Sequence, residues 1–166
     1  MKDDILLSGT CLAVLRNTKT GEVKKFHGKN LVTDDGDQYY AEGAVGSPSF
    51  AMQGFQLGSD PASADVAKGD TDVNSYLASK ATDGSYPQTS DDDTDNTSGG
   101  VDVVTWRCSF GAADANVNSI GELSIVNSIG DGQPTKAICH AVFAAAFNKT
   151  SDDTLKVFVN HNFNGS

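Results

Sequence analysis

In LKVFVNHNF, residues 155–163, Leu155, Val157, Val159, His161 and Phe163 occupy every second position and therefore share one side of an extended strand. VDVVTWRCSF (101–110) repeats the pattern with Val104, Trp106, Cys108 and Phe110. ILLSGTCLAVLR (5–16), EVKKFH (22–27), FAMQGFQL (50–57), IGELSIVNS (120–128) and KAICHAVFAAAF (136–147) read as further strands, and helical periodicity is scarce. Period-two patterning of this extent commits the chain to an all-β fold. NTKTG, GDGQPT and NKTSDD supply hairpin connections, and Pro134 stands before its strand, where it breaks no ladder. About seven antiparallel strands, each with one apolar face, predict a jelly-roll-like β-sandwich.

One segment breaks the pattern. In KNLVTDDGDQYYAE (29–42), Thr33 can cap a helix whose first turn carries Asp34, Asp35 and Asp37, favourable charges at the positive end of the helix dipole. Gly36 lowers its propensity and Gly43 ends it, so one short helix is expected.

Residues 1–166 read as a single domain with an extended acidic loop region at about 58–100. Within that tract, rich in Asp, Ser, Thr, Gly and Ala, only Val66, Val73, Tyr76, Leu77 and Tyr86 can anchor the chain. Connections in compact domains run about four to six residues, and a polar tract of this composition seldom orders by itself. The expectation is that neighbouring subunits hold it.

The net charge is −10, and Lys and Arg are scattered singly, which argues against a nucleic-acid partner. Asp3 and Asp4 stand where a signal peptide carries positive charge, and AVFAAAF (141–147) is far shorter than a bilayer span, so neither secretion nor a membrane partner is expected. Cys11, Cys108 and Cys139 lie singly in apolar runs and read as small buried hydrophobes.

Catalytic patterns are missing: the sequence holds no P-loop, G-x-S-x-G, H-E-x-x-H or G-x-G-x-x-G. His27, His140 and His161 lie on different strands with no acidic partner at motif spacing, which fits hydrogen-bonded core or interface residues. Because His140 follows Cys139 directly, their side chains point to opposite faces. The metal candidate is SDDDTDNTSGGVD (90–102), where Asp91, Asp93, Asp95 and Thr97 fall at the alternating positions of a calcium loop and Asp102 at the twelfth. Asn96 stands where such loops carry glycine, and the last ligand is Asp rather than Glu, so a solvated acidic loop is the alternative.

The order of segments resembles the small virion proteins of tailed bacteriophages. KNLVTDDGDQYYAE is similar to their "NLV(T)..G" entry into a short helix, and FQLGSDPASADVAKGDTDV (55–73) to an "LG.G...P...DT.L" segment after a strand. SIGELSIVN (119–127) resembles an "I.E.G(L/I)" strand, with Leu123 where glycine is frequent. KAICHAVFAAAFNKTSDDTLKVFVNHNF (136–163) resembles a closing strand pair joined by "K...DTL.V". The similarity spans most of the chain and departs from the pattern at the inserted acidic tract, 83–100. It implies a non-enzymatic virion component, assembled in a host cytoplasm, that decorates or cements the capsid as a closed homo-oligomer such as a trimer. The alternative is a tail or tail-fibre component that binds a host receptor, with Tyr39, Tyr40, Tyr76 or Tyr86 facing glycans. A hydrolase using paired carboxylates of the Asp-rich loop is the third reading, disfavoured because an exposed run of like charges does not set two pKa values apart.

Overall fold

The computed structural model describes residues 7–59, 66–89, 93–97 and 100–163. Its strands are β1 (Ser8–Asn17), β2 (Val23–Val32), β3 (Gly54–Gly58), β4 (Tyr76–Ala81), β5 (Val103–Phe110), β6 (Ile120–Val126), β7 (Ala137–Phe147) and β8 (Asp153–Asn162), with helix α1 (Asp34–Ala44) between β2 and β3. The fold is all-β with one short helix. The eight strands form one continuous sheet, in the order β4-β3-β6-β7-β2-β1-β8-β5, and every ladder is antiparallel.

That continuity corrects the expected sandwich, which would have two separately bonded layers. The sheet curls until its edge strands nearly meet. Cys108 Sγ of β5 donates to Ala81 O of β4 at 3.3 Å, Asp83 N donates to Arg107 O at 3.0 Å, and Gln88 forms an isolated bridge with Thr105. Alternation specifies which face of each strand is apolar but not how strongly the sheet bends. The register shifts at Leu57/Gly58, Ile120/Glu122 and Ile125/Val126 add the curvature.

Register places the inward residues in rows. Cys11, Ala13 and Leu15 face Val159, Val157 and Leu155, which also pair with Trp106, Cys108 and Phe110; on the other flank, Phe55 and Leu57 face Ile125 and Leu123. These side chains merge into one buried cluster. All three cysteines are free and buried in it, and burial pushes the Cys139 thiol up to about 12. They are packing residues.

Helix α1 closes over the core. The Thr33 hydroxyl accepts from Gly36 N at 3.0 Å and donates to Ala137 O, so one side chain both caps the helix and ties it to β7. Two of the first-turn acids are paired, Asp35 with Lys136 and Asp37 with Lys68, each at 2.6 Å. Tyr40 accepts a hydrogen bond from Trp106 Nε1 at 2.9 Å and bonds His161 Nδ1, and burial lowers the His161 pKa to about 3. No described helix is long and apolar enough to cross a membrane.

Where it is described, the polar tract makes hydrogen bonds and ion pairs with this chain's own sheet. Residues 66–75 run across the outer face of β3, β6 and β7 and lead into β4, where Leu77 packs on the core. Residues 82–89 and 93–97 lie on the outer face of β5 and β8. There Asn96 exchanges two hydrogen bonds with Asn160 at 2.9 and 3.1 Å, and Tyr86 lies 4.3 Å from the Arg107 guanidinium. Polar partners replace the apolar anchors that the composition lacks.

Candidate functional site

The outer face of β3, β6 and β7 carries the most concentrated buried chemistry among the described residues. Register sets Gln56 beside Ser124 and Ser124 beside His140, with Glu122 facing Gly58 of β3. A side chain at Gly58 would collide with the Glu122 carboxylate, 2.7 Å from its Cγ, so glycine lets that carboxylate lie across the strand. His140 Nε2 stands 2.7 Å from Glu122 Oε2, and His140 Nδ1 stands 2.7 Å from Asp70 Oδ2 of the 66–75 segment. The side chains of His140 and Glu122 are fully buried, whereas that of Asp70 is 22 % exposed.

Both ring nitrogens face carboxylate oxygens at 2.7 Å, and because ionised carboxylates only accept, this geometry is the one that suits an imidazolium with hydrogen on both nitrogens. Burial pushes the His140 pKa down but is outweighed by the hydrogen bonds to Glu122 and Asp70 and by their charges, which leave it raised. Burial likewise pushes Glu122 up. The hydrogen bonds it accepts from His140, Ser75 N and Asn74 N win and hold it below the usual carboxylate range. Asp72 is displaced the other way, raised by burial and by the neighbouring Asp70, Glu122 and Asp131 charges.

This arrangement is unsuited to proton abstraction, because an imidazolium with both N–H groups engaged has no lone pair to act as a base. Ser124 Oγ is buried beside it without a hydrogen-bond partner among the described residues, so none of them activates it as a nucleophile. The cluster is an ionic tie between the sheet and the segment that crosses it. Sequence spacing hid it, because Asp70 and His140 are 70 positions apart, although an acid inside the otherwise apolar IGELSIV was a readable sign.

The acidic loop makes a second ionic cluster. Asp91 lies outside the described residues. Asp93 accepts from Arg107 Nη1 and Lys156 Nζ, each at 2.9 Å, and from Asp95 N at 3.0 Å; Asp95 accepts from Lys156 at 3.1 Å and stands 3.7 Å from Arg16. Burial pushes Asp93 up, but these hydrogen bonds and charges outweigh it and lower its pKa. Asp102 is exposed at the start of β5, and no group of three described His, Cys, Asp or Glu side chains is arranged to hold a metal ion. Calcium would have to displace Arg107 and Lys156 from Asp93, so millimolar calcium is expected to leave the melting temperature unchanged. A rise of several degrees in a thermal melt would identify a calcium site, since a ligand bound only by the native state stabilises it.

A third feature is an opening in the sheet. β2 pairs with β7 only from Gly28 to Val32, opposite Phe143 to Cys139. Val23–His27 has a ladder partner among the described residues only in β1, and Ala144, Ala145 and Ala146 are exposed. Phe26 and Phe147 stack at 4.2 Å and seal the opening from within. Outside it lies a groove of about 500 Å³ lined by His27, Lys29, Val66, Val142, Phe143 and Ala144. Lys25, His27 and Lys29 alternate along β2, a basic row in a chain of net charge −10.

No family model, curated protein or solved structure matches this chain.

The tyrosines expected to face sugars are engaged elsewhere. Tyr39 packs against Tyr40, Phe50 and Trp106, and Tyr40 bonds Trp106 and His161. Tyr86 is buried over Arg107, and the half-buried Tyr76 hydroxyl bonds Ser79 at 3.0 Å. They form no shared aromatic platform.

Proposed function

We propose that this chain is a non-enzymatic structural protein of a bacteriophage virion that decorates or cements the capsid through contacts between subunits as a closed homo-oligomer. The observation that carries the reading is the opening between β2 and β7. A strand edge without a ladder partner among the described residues borders an apolar groove and a basic row. Unpaired strand edges accept an added strand from another chain, and main-chain pairing of that kind needs no reactive group. The ionic clusters support the same reading, because they fasten the polar tract instead of assembling a base and a nucleophile. The virion assignment rests on the resemblance in segment order.

Co-sedimentation tests it. The purified chain is expected to pellet with empty capsids, and Lys25→Glu combined with Lys29→Glu to weaken that binding by about tenfold or more through charge reversal beside the groove. Pelleting with tails alone would establish the tail reading, and pelleting with neither would overturn the virion assignment.

A further inference from the structure

We propose that Asp70, His140 and Glu122 form a proton-operated latch: while the ring carries both protons, residues 66–75 are pinned across β3, β6 and β7, and loss of one proton frees the segment. The asymmetry of the cluster decides what moves. Glu122 is fully buried in β6 and also accepts Ser75 N at 3.0 Å, whereas Asp70 belongs to the crossing segment and reaches solvent. A neutral ring keeps one N–H, and the buried carboxylate has the stronger claim to it because it cannot exchange the bond for water. The Nδ1 lone pair would then point at Asp70 Oδ2 from 2.7 Å, and that contact turns repulsive.

The surroundings increase the effect. Asp70 and Asp72 face the ring from the crossing segment, Glu122 from β6, and Asp131 adds charge from the β6–β7 hairpin; Gln56 of β3 and Leu31 of β2 are uncharged. The ring therefore stands among several acids; the nearest lysines by position are Lys68 of the crossing segment, paired with Asp37, and Lys29, two positions from Leu31 on β2. Asp70 Oδ2 also accepts Ala67 N at 2.8 Å, so the same carboxylate shapes the turn that presents it. Other ties include a Val73 N bond to Gln56 Oε1 at 3.4 Å, an Asp34 N bond to Lys68 O at 2.8 Å, the exposed Lys68–Asp37 pair and, at the β4 end, a Ser59 N bond to Ser75 O at 2.9 Å beside the Ser75 and Asn74 amide bonds to Glu122. Val66, at the start of the segment, lines the groove beside β2, so release removes one wall of that groove.

The latch is a property of the isolated fold and stands or falls independently of the virion reading. Nitrogen-15 NMR of the ring and amide hydrogen exchange, followed from about pH 6 to about pH 10, test it on the full chain. At neutral pH both ring nitrogens are expected to carry protons. As the ring loses one, protection factors at Val73 and Ser75 should fall about tenfold or more while those in β1 and β8 hold. Asp70→Asn, which leaves the Glu122–His140 pair in place, should show the low protection already at neutral pH. A singly protonated ring at neutral pH, or protection at Val73 and Ser75 that follows β1 and β8 across the whole range, would overturn the latch. The wild-type titration decides the matter alone if the variant does not fold.

Discussion

Glu122→Ala is expected to lower the unfolding free energy by about 3–5 kcal/mol, the usual cost of removing one partner from a buried ion pair. The loss has three sources. The imidazolium of His140 keeps only Asp70, the Ser75 and Asn74 amides lose their acceptor, and the vacated space is lined by polar groups. Urea denaturation measures it, and its pH dependence separates charge from packing. The His140 pKa is raised on folding, so the stability from its charge is full below the ordinary histidine value and is lost as pH rises through the raised one. The Glu122 pKa is lowered, so its contribution is present above the ordinary carboxylate value and is lost as pH falls through the lowered one. The variant should therefore differ most from wild type between those two limits and approach it on the alkaline side. A deficit below about 1 kcal/mol, or one that does not change with pH, would mean that the pair is not the charged buried tie described here.

The strand pattern was legible because side-chain period is a local property. Trp106, Cys108 and Phe110 point inward as their spacing predicts, and Thr33 caps α1 where the first-turn acids announce a helix. The sandwich expectation failed on a quantity that one strand cannot report. Whether eight strands split into two layers or curl into one depends on bulges such as that at Ile120/Glu122, which arise from pairing between strands. β4 was missed for a related reason: YLASKA has little alternation and stands in a polar tract, yet pairing with β3 orders it. For the tract, composition reports the apolar anchors and not the polar ones. Its described parts are tied down by Asp70, Asp83, Asp93 and Asn96, whose partners in β5, β7 and β8 are distant in sequence. Asp93 and Asp95, two of the four acids expected to gather a metal cation, gather Lys156 and Arg107 instead.

Gly36→Ala provides a test in which local propensity and tertiary packing predict opposite signs. Within a helix the exchange ordinarily stabilises by about 1 kcal/mol, because alanine loses less backbone freedom. Here the first turn of α1 lies against β7 so closely that an added Cβ would enter Ile138 O and come within 2.7 Å of Val32 Cγ1. Ile138 O belongs to a paired strand and also accepts Thr33 N at 3.2 Å, so neither the strand nor the cap can yield cheaply. The helix must back away, and with it Tyr39 and Tyr40. We expect a net loss of about 2–3 kcal/mol, the scale of overpacking in a dense core, and a shift in fluorescence because the single tryptophan, Trp106, bonds the Tyr40 hydroxyl. Gly43→Ala is the control. It lies in the same helix with nothing within 4 Å of its added Cβ, so it should gain up to about 1 kcal/mol with unchanged fluorescence. If both variants gain, the close approach of α1 to β7 is wrong; if both lose, the helix is constrained by something other than that contact. Opposite signs at two glycines seven residues apart would show that the feature which weakens this helix in the sequence is what allows it to dock.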